Sequence, residues 1–146
     1  MPDDDPFDLA RFLDAQAPAM AAVTRELSEG RKRTHWMWFV FPQLRGLGHS
    51  AMAQRYGIAS RAEAEAYWRH SVLGPRLAMC TALVNRAEGA TLREVLGSPD
   101  DMKFQACVTL FAAVAPEEVG FLQALSRWFG GEPHGATLAL LGSPQG

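Results

Sequence analysis

A length of 146 residues fits one domain, and fractions of 48% hydrophobic and 21% charged residues are typical of a folded globular protein. The 14 basic and 16 acidic side chains give a net charge of −2, so no strong field attracts a polyanion or a membrane surface. We therefore expect neither nucleic acid nor a membrane as a partner. The only basic cluster, Arg31-Lys32-Arg33, is interpreted as a solvated helix end.

The two ends of the sequence and its cysteines favour a cytoplasmic protein. Residues 1–5 contain neither the positive charge nor the apolar run of a signal peptide, and no stretch approaches the roughly 18 apolar residues of a membrane span. We predict one domain over residues 1–146, with disordered tails at residues 1–5 and 143–146. Cys80 and Cys107 lie among apolar residues at helical spacing, which predicts two reduced, buried thiols.

Helix signals follow one another along the chain. Apolar residues recur at helical spacing after Pro6 and again after Pro18, and Gly30 is placed to end the second helix. A further helix is expected to start near Ser50, and Ser60-Arg61-Ala62-Glu63 has the form of a capping box.

The second half of the chain continues this pattern. An apolar stripe predicts a helix that starts at Ser71 or Pro75 and ends at Glu88. Ser98-Pro99-Asp100-Asp101 offers a capping hydroxyl, a proline and two acids, and Pro116-Glu117-Glu118 repeats the proline and the acids. A last short helix is predicted over residues 136–141. The pattern predicts an all-α fold, a single compact globular domain of about seven or eight short helices.

The segment from Trp36 to Phe41 is continuously apolar and rich in residues that favour strands. A strand there would lack a partner, because no other segment alternates convincingly. We interpret residues 34–41 as one or two buried helical turns that end at Pro42.

Most familiar catalytic signatures are missing from the sequence. The four histidines are widely spaced and have no cysteine or carboxylate at metal-ligand spacing, so we expect neither a metal nor a cofactor; they are His35, His49, His70 and His134. The stretch Gly46–Ala51 matches the letters of a dinucleotide fingerprint, but that motif requires a preceding strand. We interpret it as a turn before a helix, whose amides could hold an anion.

The densest constellation of aromatic and polar side chains runs from His35 to Gly48. Large aromatics beside a histidine, an amide and a guanidinium are typical of a small-molecule pocket. The same tryptophans and phenylalanines are equally typical of a core anchor. A second candidate is Ser98–Lys103, which could place acids and an ammonium at a cleft edge, or could simply start a helix.

Over nearly its whole length the sequence resembles the bacterial and fungal family catalogued as domain of unknown function 1810, some of whose members are labelled calpastatin. The resemblance rests on the segments 5–12, 30–43, 46–48, 53–58, 70–77 and 98–103. It implies an all-helical fold and no established activity, and it suggests a link to nucleotide or ADP-ribose metabolism. The sequence reads Gln105-Ala106-Cys107 where the family usually has a pair of serines, which weakens an enzymatic role if those serines act chemically.

Two functions remain open at this point. The first is a pocket protein, or an enzyme, for a small polar or nucleotide-like ligand, such as one related to ADP-ribose. In this first function His35 transfers protons and Lys103 balances charge. The ligand contacts Trp36, Trp38, Gln43, Arg45 and Asp101. It requires residues 35–45 and Lys103 to meet around one cleft, with Asp100 or Asp101 pairing with Arg45 when that cleft is empty. The alternative is a non-enzymatic structural or interaction module whose aromatic motif is core.

Overall fold

The computed structural model describes residues 4–89 and 91–142. Across these ranges the chain forms ten α-helices and one 3₁₀ turn. The helices are α1 (Ala10–Gln16), α2 (Met20–Ser28), α3 (Met37–Val40), α4 (Ala51–Tyr56), α5 (Arg61–Arg69), α6 (Leu73–Arg86), α7 (Leu92–Leu96), α8 (Asp100–Val114), α9 (Val119–Phe129) and α10 (Gly135–Gly142), and the 3₁₀ turn is Arg45–Leu47.

The predicted all-α fold is confirmed, with two or three more helices than expected. No predicted helix corresponds to α7, where the Thr91 hydroxyl accepts a hydrogen bond from Glu94 N at 3.2 Å. Its sequence Thr91-Leu92-Arg93-Glu94 is a capping box, so a signal was present. Within the described ranges the chain has no strand, only an isolated bridge between Leu44 and Ile58. No described helix is long and apolar enough to cross a membrane.

Side-chain caps set several helix starts. Ser50 and Ser60 accept hydrogen bonds from Ala53 N and Glu63 N, both at 3.1 Å, so the predicted starts of α4 and α5 are confirmed. The predicted cap at Ser98 is wrong, because α8 begins at Asp100 without a side-chain cap. The tails predicted at residues 1–5 and 143–146 lie largely outside the described residues. Asp5 is described, and its carboxylate accepts from Leu9 N and Ala10 N at 2.8 and 2.9 Å.

The core forms around α8, which packs against α5, α7, α9 and α10. Cys107 on α8 and Cys80 on α6 are both free and buried, as predicted. Burial raises the pKa of the Cys80 thiol to about 12 and that of Cys107 well above its usual range. Both thiols are therefore protonated at neutral pH and behave as small apolar side chains.

The aromatic segment enters this core through α3, so the helical interpretation of residues 34–41 is confirmed for Met37–Val40, while Thr34 and His35 are exposed and not helical. The Phe41 ring meets the Phe104 ring edge-to-face, with centroids 5.0 Å apart. After Pro42 the chain passes beside the residues that follow α4, because Ile58 N donates to Gln43 O and Arg45 N donates to Ile58 O, both at 2.9 Å. These two backbone hydrogen bonds place residues 43–47 next to residues 57–61.

Candidate functional site

Trp36 is a core anchor. Its side chain is 1% exposed, and its indole Nε1 donates to Glu26 Oε1 at 2.9 Å. The Glu26 carboxylate also accepts from Arg33 N, Thr34 N and the Thr34 hydroxyl, at 2.8, 3.0 and 2.7 Å. Burial alone would raise the pKa of Glu26, but these donors outweigh it and hold the pKa at about 2. The ionised Glu26 thus fixes the start of the aromatic segment.

Trp38 lies at a different place, half-buried beside the start of α8. Lys103 Nζ lies 5.4 Å from the centre of its ring, within the range of a cation–π contact. The structure therefore brings these two predicted site residues together. Asp100 forms ion pairs with Lys32 at 3.0 Å and with Lys103 at 3.9 Å.

The expected pairing of an acid on α8 with Arg45 is wrong. Asp100 is engaged with the two lysines, and Asp101 Oδ1 accepts from Met102 N at 2.9 Å within its own helix turn. The interpretation of Arg31-Lys32-Arg33 as a solvated helix end is wrong for Lys32. Its side chain is only 8% exposed and forms an ion pair within the fold.

Gln43 lines a small cleft with Trp38 and the residues around Tyr56. The volume of this cleft is about 10 Å³, which is the space of about one water molecule. His35 is exposed, and it lines neither this cleft nor the cavities around Arg45. Residues 35–45 and Lys103 thus point to several places, and Trp38 and Phe41 of the aromatic segment line this cleft rather than the cavities around Arg45.

Arg45 is the predicted residue that does line cavities of ligand size. One, the inner cavity, has a volume of about 230 Å³ and lies between the 3₁₀ turn, the start of α5 and the end of α10. The other, the outer cavity, has a volume of about 430 Å³ and lies between the N-terminal segment and the α4–α5 connection. Arg45 and Ala59 belong to the lining of both, so the two cavities adjoin at these residues.

The Arg45 guanidinium is poorly satisfied. Its Nη2 donates to Gly57 O at 3.2 Å, while its Nε is buried without a partner among the described residues. A guanidinium has five N–H groups, and a buried polar group without a partner costs about 1–3 kcal/mol. Arg45 therefore has hydrogen-bonding capacity that the protein itself does not use.

Arg11, in contrast, is fully used by the fold. It makes five hydrogen bonds, four of them to the backbone carbonyls of residues 7, 8, 55 and 57. The fifth is an ion pair with Glu63 at 2.6 Å, in which the two side chains are 9% and 3% exposed. Glu63 also accepts from Ala59 N at 2.9 Å. Arg11 and Glu63 together hold the backbone that forms the walls of the outer cavity.

Gly57 links the two arginines. Its carbonyl accepts from both Arg11 and Arg45, at 3.1 and 3.2 Å. A Cβ atom at this position would lie 2.5 Å from the Arg45 Cα and 2.6 Å from Ala53 O. Because both neighbours are backbone atoms, only glycine allows the two segments to approach this closely.

The start of α5 completes the inner cavity. Ser60 and Arg61 belong to its lining, and the first turn of a helix presents backbone N–H groups that attract negative charge. Arg61 donates to Ala113 O at 3.0 Å and pairs with Glu65 at 3.4 Å. On the opposite side α10 is tied to α8, because His134 N donates to the Thr109 hydroxyl at 2.9 Å.

Sequence reasoning missed Glu26, Arg11 and Gly57. The partners of Arg11 lie up to 52 residues away in sequence, and no local pattern marks them. The capping box did point to Glu63, although the carboxylate of Glu63 serves Arg11 and Ala59 N rather than the start of its own helix. Among the described residues no group of three metal-binding side chains lies together.

These features define an all-helical domain with an arginine at the junction of two cavities. The chain belongs to the family described as "Protein of unknown function (DUF1810)", whose model matches residues 6–141. Among solved structures it is similar to the conserved hypothetical protein Rv1873 from Mycobacterium tuberculosis. The two are 52% identical with a TM-score of 0.93, and the match covers 95% of this chain and 99% of that one. No curated protein matches the chain.

Proposed function

We propose that this chain is a cytoplasmic small-molecule-binding protein whose ligand carries an anionic group and binds in the inner cavity at Arg45. The observation that carries the proposal is the contrast between two neighbouring arginines. Arg11 makes five hydrogen bonds within the fold, whereas Arg45 makes one and has a buried Nε without a partner.

An anion satisfies what Arg45 lacks. A carboxylate or phosphate accepts two parallel hydrogen bonds from a guanidinium, and such charge-assisted bonds are roughly twice as strong as neutral ones. The Ser60 hydroxyl and the first turn of α5, which line the same cavity, supply further groups that favour a negative charge. Of the residues expected from the sequence to contact a ligand, Arg45 is thus the one to which the proposal gives that role.

The proposal is for binding, and it assigns no catalytic step. The side chains that line the inner cavity are aliphatic except for two guanidiniums and one hydroxyl, and these groups hold a ligand rather than transfer its protons. His35 and Lys103 lie outside the lining of both cavities, so they receive no role. A nucleotide-like ligand remains one member of the anionic class.

The test is ligand-induced thermal stabilisation combined with native mass spectrometry of freshly purified protein. The probes are benzoate, inorganic phosphate and AMP, each compared with sodium chloride at equal ionic strength. We expect at least one anion to raise the Tm of the wild-type protein and not that of Arg45→Gln. The matched control is Arg69→Gln, which removes an exposed arginine from the last turn of α5. If every anion acts equally on wild type and Arg45→Gln, and no retained mass is found, the proposal is wrong.

A second candidate function is a structural or interaction module whose aromatic motif is core. The burial of Trp36 and Phe41, each 1% exposed, favours it. It predicts that no small anion stabilises the wild-type protein, so the same experiment separates the two candidates.

A further inference from the structure

We propose that the ligand is a one-ring monocarboxylate, with its ring in the inner cavity and its carboxylate on Arg45. This inference rests on the proposed function, and it names the chemical class that the cavity selects. Three properties of the cavity lead to it: its size, its walls and its charge.

The size of the inner cavity suits a ligand of one ring and its substituents. Its volume is about 230 Å³. A cavity of about 150 Å³ is known to hold one benzene molecule, and drug-sized ligands occupy pockets of about 300–1,000 Å³. The inner cavity lies between these values, so a ring that carries a carboxylate fits it.

The walls of the inner cavity are apolar apart from the charged end. Leu44 and Ile58 are 6% and 0% exposed and form its floor, and α10 contributes Leu140 and Leu141 on the other side. Aliphatic side chains of this kind gain free energy by removing an apolar ring from water. An apolar body is therefore favoured over a polyhydroxylated one.

The charge around Arg45 matches a single negative charge. The outer cavity is lined by three guanidiniums and two carboxylates, which leaves one positive charge. Arg61, at the inner cavity, forms an exposed ion pair with Glu65 at 3.4 Å. One carboxylate on the ligand neutralises the surplus at Arg45.

The experiment measures the Tm of the wild-type protein with benzoate, cyclohexanecarboxylate, benzamide, inorganic phosphate and AMP, at matched ionic strength. At ten times its dissociation constant a ligand of this kind raises the Tm by about 4 °C. We expect this rise with the two carboxylates, and no rise with benzamide, phosphate or AMP. Benzamide matches benzoate in shape without its charge, so it isolates the role of Arg45.

A cavity-filling variant locates the site. A Cβ atom at Gly46 would lie 3.4 Å from the Leu140 Cδ1 atom, so Gly46→Leu fills the inner cavity from the exposed 3₁₀ turn. We expect Gly46→Leu and Arg45→Gln to lose the response to benzoate while they keep the helical circular dichroism and the cooperative unfolding of the wild type. Arg69→Gln should respond as the wild type does.

The outcomes separate this inference from the proposed function. If phosphate or AMP stabilises the protein through Arg45 and the carboxylates do not, the ligand class is wrong and the anion site stands. If benzamide acts as strongly as benzoate, or if Gly46→Leu still responds, the inference is overturned. If no anion acts through Arg45, both proposals are overturned.

Discussion

Substitution of Glu26 by glutamine should destabilise the protein at neutral pH and leave it little changed in strong acid. The carboxylate is 1% exposed and accepts four hydrogen bonds. A pKa lowered from 4.5 to about 2 corresponds to about 3 kcal/mol of folding free energy, at about 1.4 kcal/mol for each pH unit. Glutamine keeps the shape and loses the charge that strengthens these bonds.

The pH dependence of the stabilisation by Glu26 follows from the direction of its pKa change. Because the pKa of Glu26 is lower in the folded state, its contribution is complete above the unfolded value of 4.5 and disappears as the pH falls towards 2. We therefore expect Glu26→Gln to lose about 2–3 kcal/mol at pH 7, and the two proteins to converge between pH 4.5 and pH 2.

Urea unfolding followed by tryptophan fluorescence, at pH 7, 4 and 2.5, measures this difference. The control is Glu29→Gln at the C-cap of the same helix, where the carboxylate is 50% exposed and lies 3.9 Å from Arg33. An exposed pair of this kind contributes at most about 0.5 kcal/mol. An unchanged stability of Glu26→Gln at pH 7, or a difference that persists undiminished at pH 2.5, would refute the reasoning.

Three other predictions follow from the contacts described above. Arg11→Gln should lower the free energy of unfolding in urea by about 3–5 kcal/mol, because it leaves the buried Glu63 carboxylate without its ion pair. Arg45→Gln should lower it by less than about 1 kcal/mol. Equal losses in the two variants would contradict the different roles given to the two arginines. Gly57→Ala should lower the Tm and weaken the response to benzoate, since its Cβ atom collides with the Arg45 backbone; wild-type values for both would show that the segments can separate freely. Cys80 and Cys107 should resist thiol labelling in the native protein and react after unfolding, and rapid native labelling would show that the core opens.

Local signals predicted the helices well. Ser50 and Ser60 are capping residues in the structure as in the sequence, because a cap depends on a donor only three positions further along. The helical turn Met37–Val40 was also predictable, since a lone strand in this segment lacks a partner. The exact start of α8 was not, because the Asp101 N–H, which a capping Ser98 would bind, donates to Gly97 O at 2.9 Å instead.

The candidate site was predicted only in part. Arg45 was expected to bind a ligand, and residues 35–45 were expected to share its cavity. Leu44 lines the inner cavity with Arg45, but Trp36 points into the core and Gln43 into a cleft of about 10 Å³. Spacing along the chain carries little information where no helix or strand fixes the direction of each side chain.

The Arg11–Glu63 pair also constrains the order in which the domain can assemble during synthesis. A ribosome produces Arg11 before it produces Glu63, which lies 52 residues further along. The carbonyls of Arg55 and Gly57, which Arg11 also requires, emerge only shortly before Glu63. The nascent α1 thus cannot be locked in its final place until α5 has left the exit tunnel, although it was translated much earlier.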